Sequence, residues 1–79
     1  MRIYFCDREI IIKMHVLKRA VERKMTVPED ILSTVKTGRI KRFGNNLIKF
    51  SKDAKEGTII CIGEEVGNCL IIKTIERGN

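Results

Sequence analysis

The spacing of apolar residues changes at Gly38, and this change constrains the fold of the chain more than any other feature. Over residues 14–37, apolar side chains recur every three to four positions, which is the spacing of an amphipathic helix. After Gly38 they alternate with polar side chains or form unbroken runs, as in residues 59–62 and 70–72, and such patterns are typical of strands. A helical segment is therefore followed by a segment rich in β-structure.

Two helices are predicted, with a break between them. The first covers about residues 14–24, and the second stops at Gly38. Within the break, Thr26 and Glu29 have the spacing of a capping box, and Pro28 falls in the first turn, where its missing N–H breaks no hydrogen bond. We expect Gly38 to end the second helix in the left-handed conformation that glycine tolerates.

Strand-forming segments lie on both sides of the helices. Residues 2–6 and 9–13 are rich in aromatic or β-branched side chains and are strand candidates before the helices. Four more are predicted after the helices, over Arg39–Phe43 and residues 47–51, 58–62 and 69–75. We expect an α+β domain in which two N-terminal helices pack on one face of a four- to five-stranded antiparallel sheet. Its predicted core consists of Val16, Leu17, Ala20, Val21, Ile31, Leu32 and Val35 against Ile60, Ile62, Leu70 and Ile72.

The length and composition predict one small domain over residues 1–79. A chain this short buries only roughly 60–65% of the surface it exposes when unfolded. Stiff packing of its thirteen isoleucines and association into a homodimer are two ways to supplement so small a core. Three cysteines form an odd number, and nothing resembles a secretion signal, so we expect free thiols and a cytoplasmic protein. The absence of glutamine and tryptophan, with a third of the residues charged, favours a thermophilic source.

Positive charge is concentrated in the first half of the chain. Residues 1–42 hold eleven Lys and Arg against five Asp and Glu, whereas residues 43–79 hold five of each. This asymmetry indicates a polyanionic partner, either nucleic acid or an acidic protein, or else a basic surface that only keeps the protein in solution. No apolar run approaches the ~18 residues that a membrane-spanning helix needs, so a membrane partner is not expected.

The single histidine belongs to the most promising cluster of polar residues. His15, Arg19 and Arg23 are spaced i, i+4 and i+8 and share one face of the first predicted helix. An imidazole beside two guanidinium groups is suited to binding and proton transfer at a phosphate. The cysteines and His15 have no CxxC or HxxxH spacing, so neither a metal site nor a cofactor is expected.

Short motifs in the chain resemble those of a widespread group of small bacterial and archaeal proteins of unknown function. The motifs are His15…Arg19-Ala20…Arg23, Thr26…Glu29-Asp30-Ile31, Thr37-Gly38 and Ile71-Ile72-Lys73-Thr74-Ile75. That group is related to the RelE/ParE-like toxins and, more broadly, to the barnase–EndoU–colicin–RelE class of small ribonucleases. The resemblance covers about residues 9–75. It implies a metal-independent endoribonuclease toxin that acts on RNA and is controlled by an antitoxin protein.

The resemblance also implies roles for particular side chains. His15 would transfer the proton, while Arg19 and Lys73 would stabilise the charged phosphate, and these three form the candidate catalytic set. The candidate RNA-binding residues are Lys18, Arg23, Thr74 and Arg77. The alternative is a non-catalytic domain of the same fold that binds RNA or protein, in which His15 is an ordinary surface residue and Arg19 and Arg23 form surface ion pairs.

Overall fold

The computed structural model describes residues 1–78, which form six strands and two helices. In chain order these are β1 (Arg2–Phe5), β2 (Arg8–Ile12), α1 (Met14–Glu22), α2 (Glu29–Thr37), β3 (Arg39–Phe43), β4 (Leu47–Ala54), β5 (Gly57–Val66) and β6 (Cys69–Gly78). The six strand-forming segments identified in the sequence are all strands, and β4, β5 and β6 extend beyond the predicted C-terminal ends. Both predicted helices are present, and α1 ends two residues early.

All six strands join one mixed sheet, in the order β1-β2-β6-β5-β4-β3. Strands β2 and β6 are parallel, with Ile10 opposite Leu70 and Ile12 opposite Ile72, whereas the other neighbours are antiparallel. The expected four- to five-stranded antiparallel sheet with N-terminal helices is therefore wrong. The β1–β2 hairpin precedes the helices and adds to the sheet beside β6, because the long segment between β2 and β6 allows the crossover that parallel strands require.

Both helices contribute to a single core on one face of the sheet. The fully or almost fully buried apolar residues are Ile10, Ile12, Val16, Ala20, Met25, Ile31, Val35, Ile48, Phe50, Ile59, Cys61, Leu70, Ile72 and Ile75. Strand β5 therefore faces the helices with Ile59 and Cys61, and the prediction that Ile60 and Ile62 lie in the core is wrong. Residues 59–62 are apolar at every position, so the sequence has no alternation of apolar and polar side chains that could indicate the buried face. The pairing of β5 with β4, in which Cys61 lies opposite the buried Phe50, decides it.

The opposite face of the sheet, which we call the open face, carries partly exposed apolar side chains. Ile60, Ile62 and Ile71 lie on it with intermediate exposure, and 72% of Tyr4 on the edge strand β1 is exposed. Val21, which we predicted in the core, is 59% exposed on α1. The two helices cover only one side of the sheet, so the second side remains accessible.

The ends of α2 differ from the predicted caps. Gly38 has φ −75° and ψ 169°, so it is not left-handed. Glycine is needed there for another reason, since a Cβ atom would lie 2.4 Å from the carbonyl oxygen of Thr34 and 2.7 Å from that of Ser51. At the N-terminal end of α2, the predicted capping box between Thr26 and Glu29 is wrong. The backbone N–H of Thr26 donates to the carboxylate of Asp30 instead, at 2.8 Å.

The three thiols differ in reactivity because their surroundings differ. Cys6 is exposed, whereas burial raises the pKa of the Cys61 thiol to about 12. A hydrogen bond from the Cys69 thiol to the Glu9 carboxylate, at 3.4 Å, raises the pKa of Cys69, and burial adds to this effect. Only thiolates react rapidly with alkylating reagents, so Cys6 should react first.

This difference predicts the order of alkylation in the native protein. With iodoacetamide near pH 8, we expect Cys6 to be modified completely while Cys61 reacts at least ~10²-fold more slowly, as peptide mass spectrometry would show. In urea all three cysteines should react at similar rates. Rapid native labelling of Cys61 would contradict its burial against the helices.

Candidate nucleic-acid interface on α1 and β6

Strand β6 has a free edge beside α1, and this edge positions the candidate site. Strand β2 pairs with β6 only as far as Ile72, so among residues 1–78 no strand neighbours the remainder of β6 on that side. The register of β6 against β5 shifts between Ile62 and Gly63, which makes Lys73 the extra residue of a β-bulge. Buried Val16 and Ala20 anchor α1 to the core, and the helix packs next to this edge.

His15 lies against the bulge. Its Nε2 atom is 3.2 Å from the carbonyl oxygen of Lys73, and the imidazole is exposed to solvent. A carbonyl oxygen only accepts, so Nε2 carries the hydrogen and Nδ1 of the neutral ring is the acceptor. The contact is a hydrogen bond only in this tautomer, and it orients the imidazole against β6.

Arg19 and Arg23 both bind the carboxylate of Glu76. The guanidinium of Arg19 lies 2.5 Å from Oε2 and that of Arg23 lies 3.4 Å from Oε1. All three side chains remain between 41% and 47% exposed, so these ion pairs stay accessible to a competing anion. We name His15, Arg19, Arg23 and Glu76 the α1–β6 cluster.

Glu76 is the member of the cluster that the sequence-based set did not include. It lies 57 positions after Arg19 in the chain, and nothing in its neighbourhood marks it. The only sequence feature that points towards Glu76 is general: residues 43–79 contain acids that can pair with the basic residues of the first half. Only the packing of α1 along β6 selects Glu76 among them.

The other predicted site residues lie outside the α1–β6 cluster or contact it only through the backbone. The backbone of Lys73 contacts His15, but its ammonium group pairs with Glu64 on the open face at 2.9 Å. Thr74 is exposed and lies opposite Ile62, and exposed Lys18 takes part in none of the ion pairs within residues 1–78. Arg77 is separate from the cluster, since its side chain is only 13% exposed and lies 3.7 Å from Glu56.

In the folded protein, ion pairs join the basic first half of the chain to the second half. Every arginine forms an ion pair with a carboxylate in the described part of the chain. Glu65 pairs with both Arg8 and Arg42, just as Glu76 pairs with Arg19 and Arg23, so acids of the second half neutralise arginines of the first. The hydrogen bond from Arg42 is the main reason that the pKa of Glu65 is lowered. Most lysines have no carboxylate partner within residues 1–78, and two of these, Lys13 and Lys18, flank His15 along the chain.

Residues 1–78 bring together no group of three or more His, Cys, Asp or Glu side chains that could hold a metal ion. Neither helix of the described chain has the length and apolar character required to cross a membrane.

Comparisons with protein-family models, with curated proteins and with solved structures find no match to this chain.

Proposed function

We propose that the protein binds RNA across the α1–β6 cluster and cleaves the phosphodiester backbone without a metal ion, as a toxin-like endoribonuclease of the cytoplasm. The observation that carries the proposal is a carboxylate, Glu76, bound by two guanidinium groups of the same helix that carries the exposed His15. His15 and Arg19 are separated by about 6 Å along the helix axis, which is close to the size of one phosphate with its hydrogen bonds.

The proposed reaction requires one base, one acid and cations at the phosphate. The 2′-oxygen attacks the adjacent phosphorus and the bond to the 5′-oxygen breaks, leaving a 2′,3′-cyclic phosphate and a 5′-hydroxyl end. Glu76 accepts the proton of the 2′-hydroxyl, and His15, as imidazolium, delivers a proton to the departing 5′-oxygen. Arg19 and Arg23 stabilise the negative charge that develops on the phosphate oxygens.

The ion pairs of the cluster support a role in phosphate binding as well. A guanidinium group held by an exposed carboxylate is already positioned, and a phosphate can take over one of its N–H groups without reorganising the helix. Lys13 and Lys18 on the same segment are available for neighbouring phosphates. This arrangement gives a short basic track that begins at the N-terminus of α1.

The test is cleavage of a defined RNA by the purified protein in EDTA. We expect His15→Ala to lower the cleavage rate by about 10²-fold or more, because it removes a positioned proton donor. Met14→Ala is the matched control, since Met14 is a neighbouring α1 residue that is 64% exposed and outside the cluster. Equal cleavage by both variants would contradict a catalytic role for His15. A parallel reaction on translating ribosomes tests the toxin-like form of the proposal, and a cognate antitoxin would suppress it.

The second candidate function is RNA binding without cleavage, and the many lysines that have no carboxylate partner within residues 1–78 support it. Binding that depends on such lysines should weaken steeply with salt. Each of Lys13→Gln and Lys18→Gln should reduce the magnitude of the negative slope of log affinity against log salt by about one. Salt-sensitive binding with no cleavage product in EDTA would select this function over the first.

A further inference from the structure

The open face of the sheet is apolar over most of its width, and neither helix of residues 1–78 covers it. Its apolar side chains come from five strands and lie in neighbouring rows, because residues paired in register point to the same face. They are Ile11, Phe43, Leu47, Ile60, Ile62 and Ile71. A sheet face that meets only water normally carries polar side chains, so this composition indicates an interaction surface.

Two lysines on the open face lie directly opposite each other. Lys41 of β3 pairs in register with Lys49 of β4, and neither has a carboxylate partner within residues 1–78. Like charges at directly opposed positions destabilise a sheet. Glu64 is a diagonal neighbour of Lys49, but it already pairs with Lys73 at 2.9 Å. A carboxylate from another molecule would therefore relieve the repulsion between Lys41 and Lys49.

The open face of a second copy can supply that carboxylate. Leu47 lies opposite Glu64, and Lys49 lies opposite Ile62, so the two apolar residues occupy one diagonal of this group and the two charged residues occupy the other. A two-fold axis along the Leu47–Ile62 diagonal places each of these apolar side chains against its own copy. The same rotation places Lys49 close to the partner's Glu64. The group is therefore complementary to itself in both apolar character and charge.

We propose that the protein forms a homodimer through its open face, with the Leu47–Ile62 diagonal on the two-fold axis. The two sheets then pack face to face with their strands crossing at a large angle, which is one of the two common arrangements of stacked sheets. The contact doubles the small apolar core of a short chain. The α1–β6 cluster contributes no residue to the diagonal, so the inference stands apart from the proposed ribonuclease function.

The size and chemistry of the open face fit a second copy. Five strands at ~4.8 Å and three rows of side chains at ~7 Å give a flat area of about 500 Å² per copy. The two copies together bury about 1,000 Å², the lower limit for a specific protein interface. Nucleic acid fits less well, because its phosphates would meet Leu47, Ile62 and Ile71 as often as they meet cations.

Reversal of charge across the axis tests the dimer, with association measured by sedimentation equilibrium. We expect wild-type dimers that dissociate on dilution. Lys49→Glu brings two carboxylates together and should weaken dimerisation by about 10-fold or more, and Glu64→Lys should do the same with two ammonium groups. The double variant Lys49→Glu/Glu64→Lys restores oppositely charged partners and should recover most of the affinity. Lys36→Glu is the matched control, since Lys36 is an exposed residue of α2, on the other side of the sheet.

A cross-link tests the position of the axis even if a charge variant fails to fold. In a Cys6→Ser background, Leu47→Cys places a thiol next to its own copy, so oxidation with diamide should give a disulfide-linked dimer. The Cys6→Ser protein without this thiol is the control.

Four results would overturn the inference. The first is a wild-type protein that remains monomeric up to ~1 mM, including one whose Ile62 and Ile71 methyl resonances shift on addition of RNA. The second is a dimer that neither charge reversal weakens more than Lys36→Glu does. The third is a double variant that associates as weakly as the single variants, and the fourth is the absence of the cross-link.

Discussion

Phe50→Ala should lower the free energy of unfolding by about 3–5 kcal/mol, a large share of the ~5–15 kcal/mol available to a small domain. Phe50 is 1% exposed and is the largest fully buried side chain of the core between the sheet and the helices. Its removal loses the transfer free energy of an aromatic ring and leaves a cavity that β4, which is paired with a strand on both sides, cannot close. Urea denaturation followed by circular dichroism measures the change.

Ile60→Ala is the control for this prediction. Ile60 lies on the open face and is partly exposed, so its truncation should lower the unfolding free energy by less than about 2 kcal/mol. The comparison also tests the orientation of β5. Losses of equal size in the two variants would show that Ile60 belongs to the core, as its apolar sequence neighbourhood first indicated.

Glu76→Gln should abolish most RNA cleavage while strengthening RNA binding. The variant lacks the proposed base, so the cleavage rate should fall by about 10²- to 10⁴-fold. It also releases Arg19 and Arg23 from their shared carboxylate, and both guanidinium groups become available to phosphate. Binding should therefore tighten several-fold, measured by fluorescence anisotropy with a labelled RNA in EDTA.

Glu64→Gln separates the loss of the base from a simple change in charge. Glu64 pairs with Lys73 on the open face, so this variant also removes one negative charge and frees one cation near the cluster. We expect tighter RNA binding with cleavage retained. Loss of cleavage in both variants, or in neither, would contradict the role of Glu76 as base.

Most of the secondary structure was predictable because its signals are local. The β-branched run before Lys13 predicted β2, and the helical spacing of Val16 and Ala20 predicted α1. The predicted helix cap failed because two nearby acids, Glu29 and Asp30, could each accept the Thr26 N–H, and local spacing does not choose between them. The predicted conformation of Gly38 failed because the glycine is needed for a close approach of Ser51, a residue far along the chain.

The candidate site was predictable only in part. The spacing of His15, Arg19 and Arg23 placed all three on one helix face, and the structure brings that face to β6. Glu76 escaped prediction because its partners lie more than fifty positions away. Arg77, one residue further, turns to the other side of β6 and lies near Glu56, since successive side chains of a strand point to opposite faces.

The sequence alone determined that this chain has two amphipathic helices and several strands, because hydrophobic periodicity and turn residues act between near neighbours. It also determined the total charge of +6. The tertiary structure decided the parallel pairing of β2 with β6, the buried face of β5 and the partner of every arginine. These features depend on contacts between residues distant in the chain, and the free energy of such contacts is set by burial and ion pairing that appear only when the sheet is assembled.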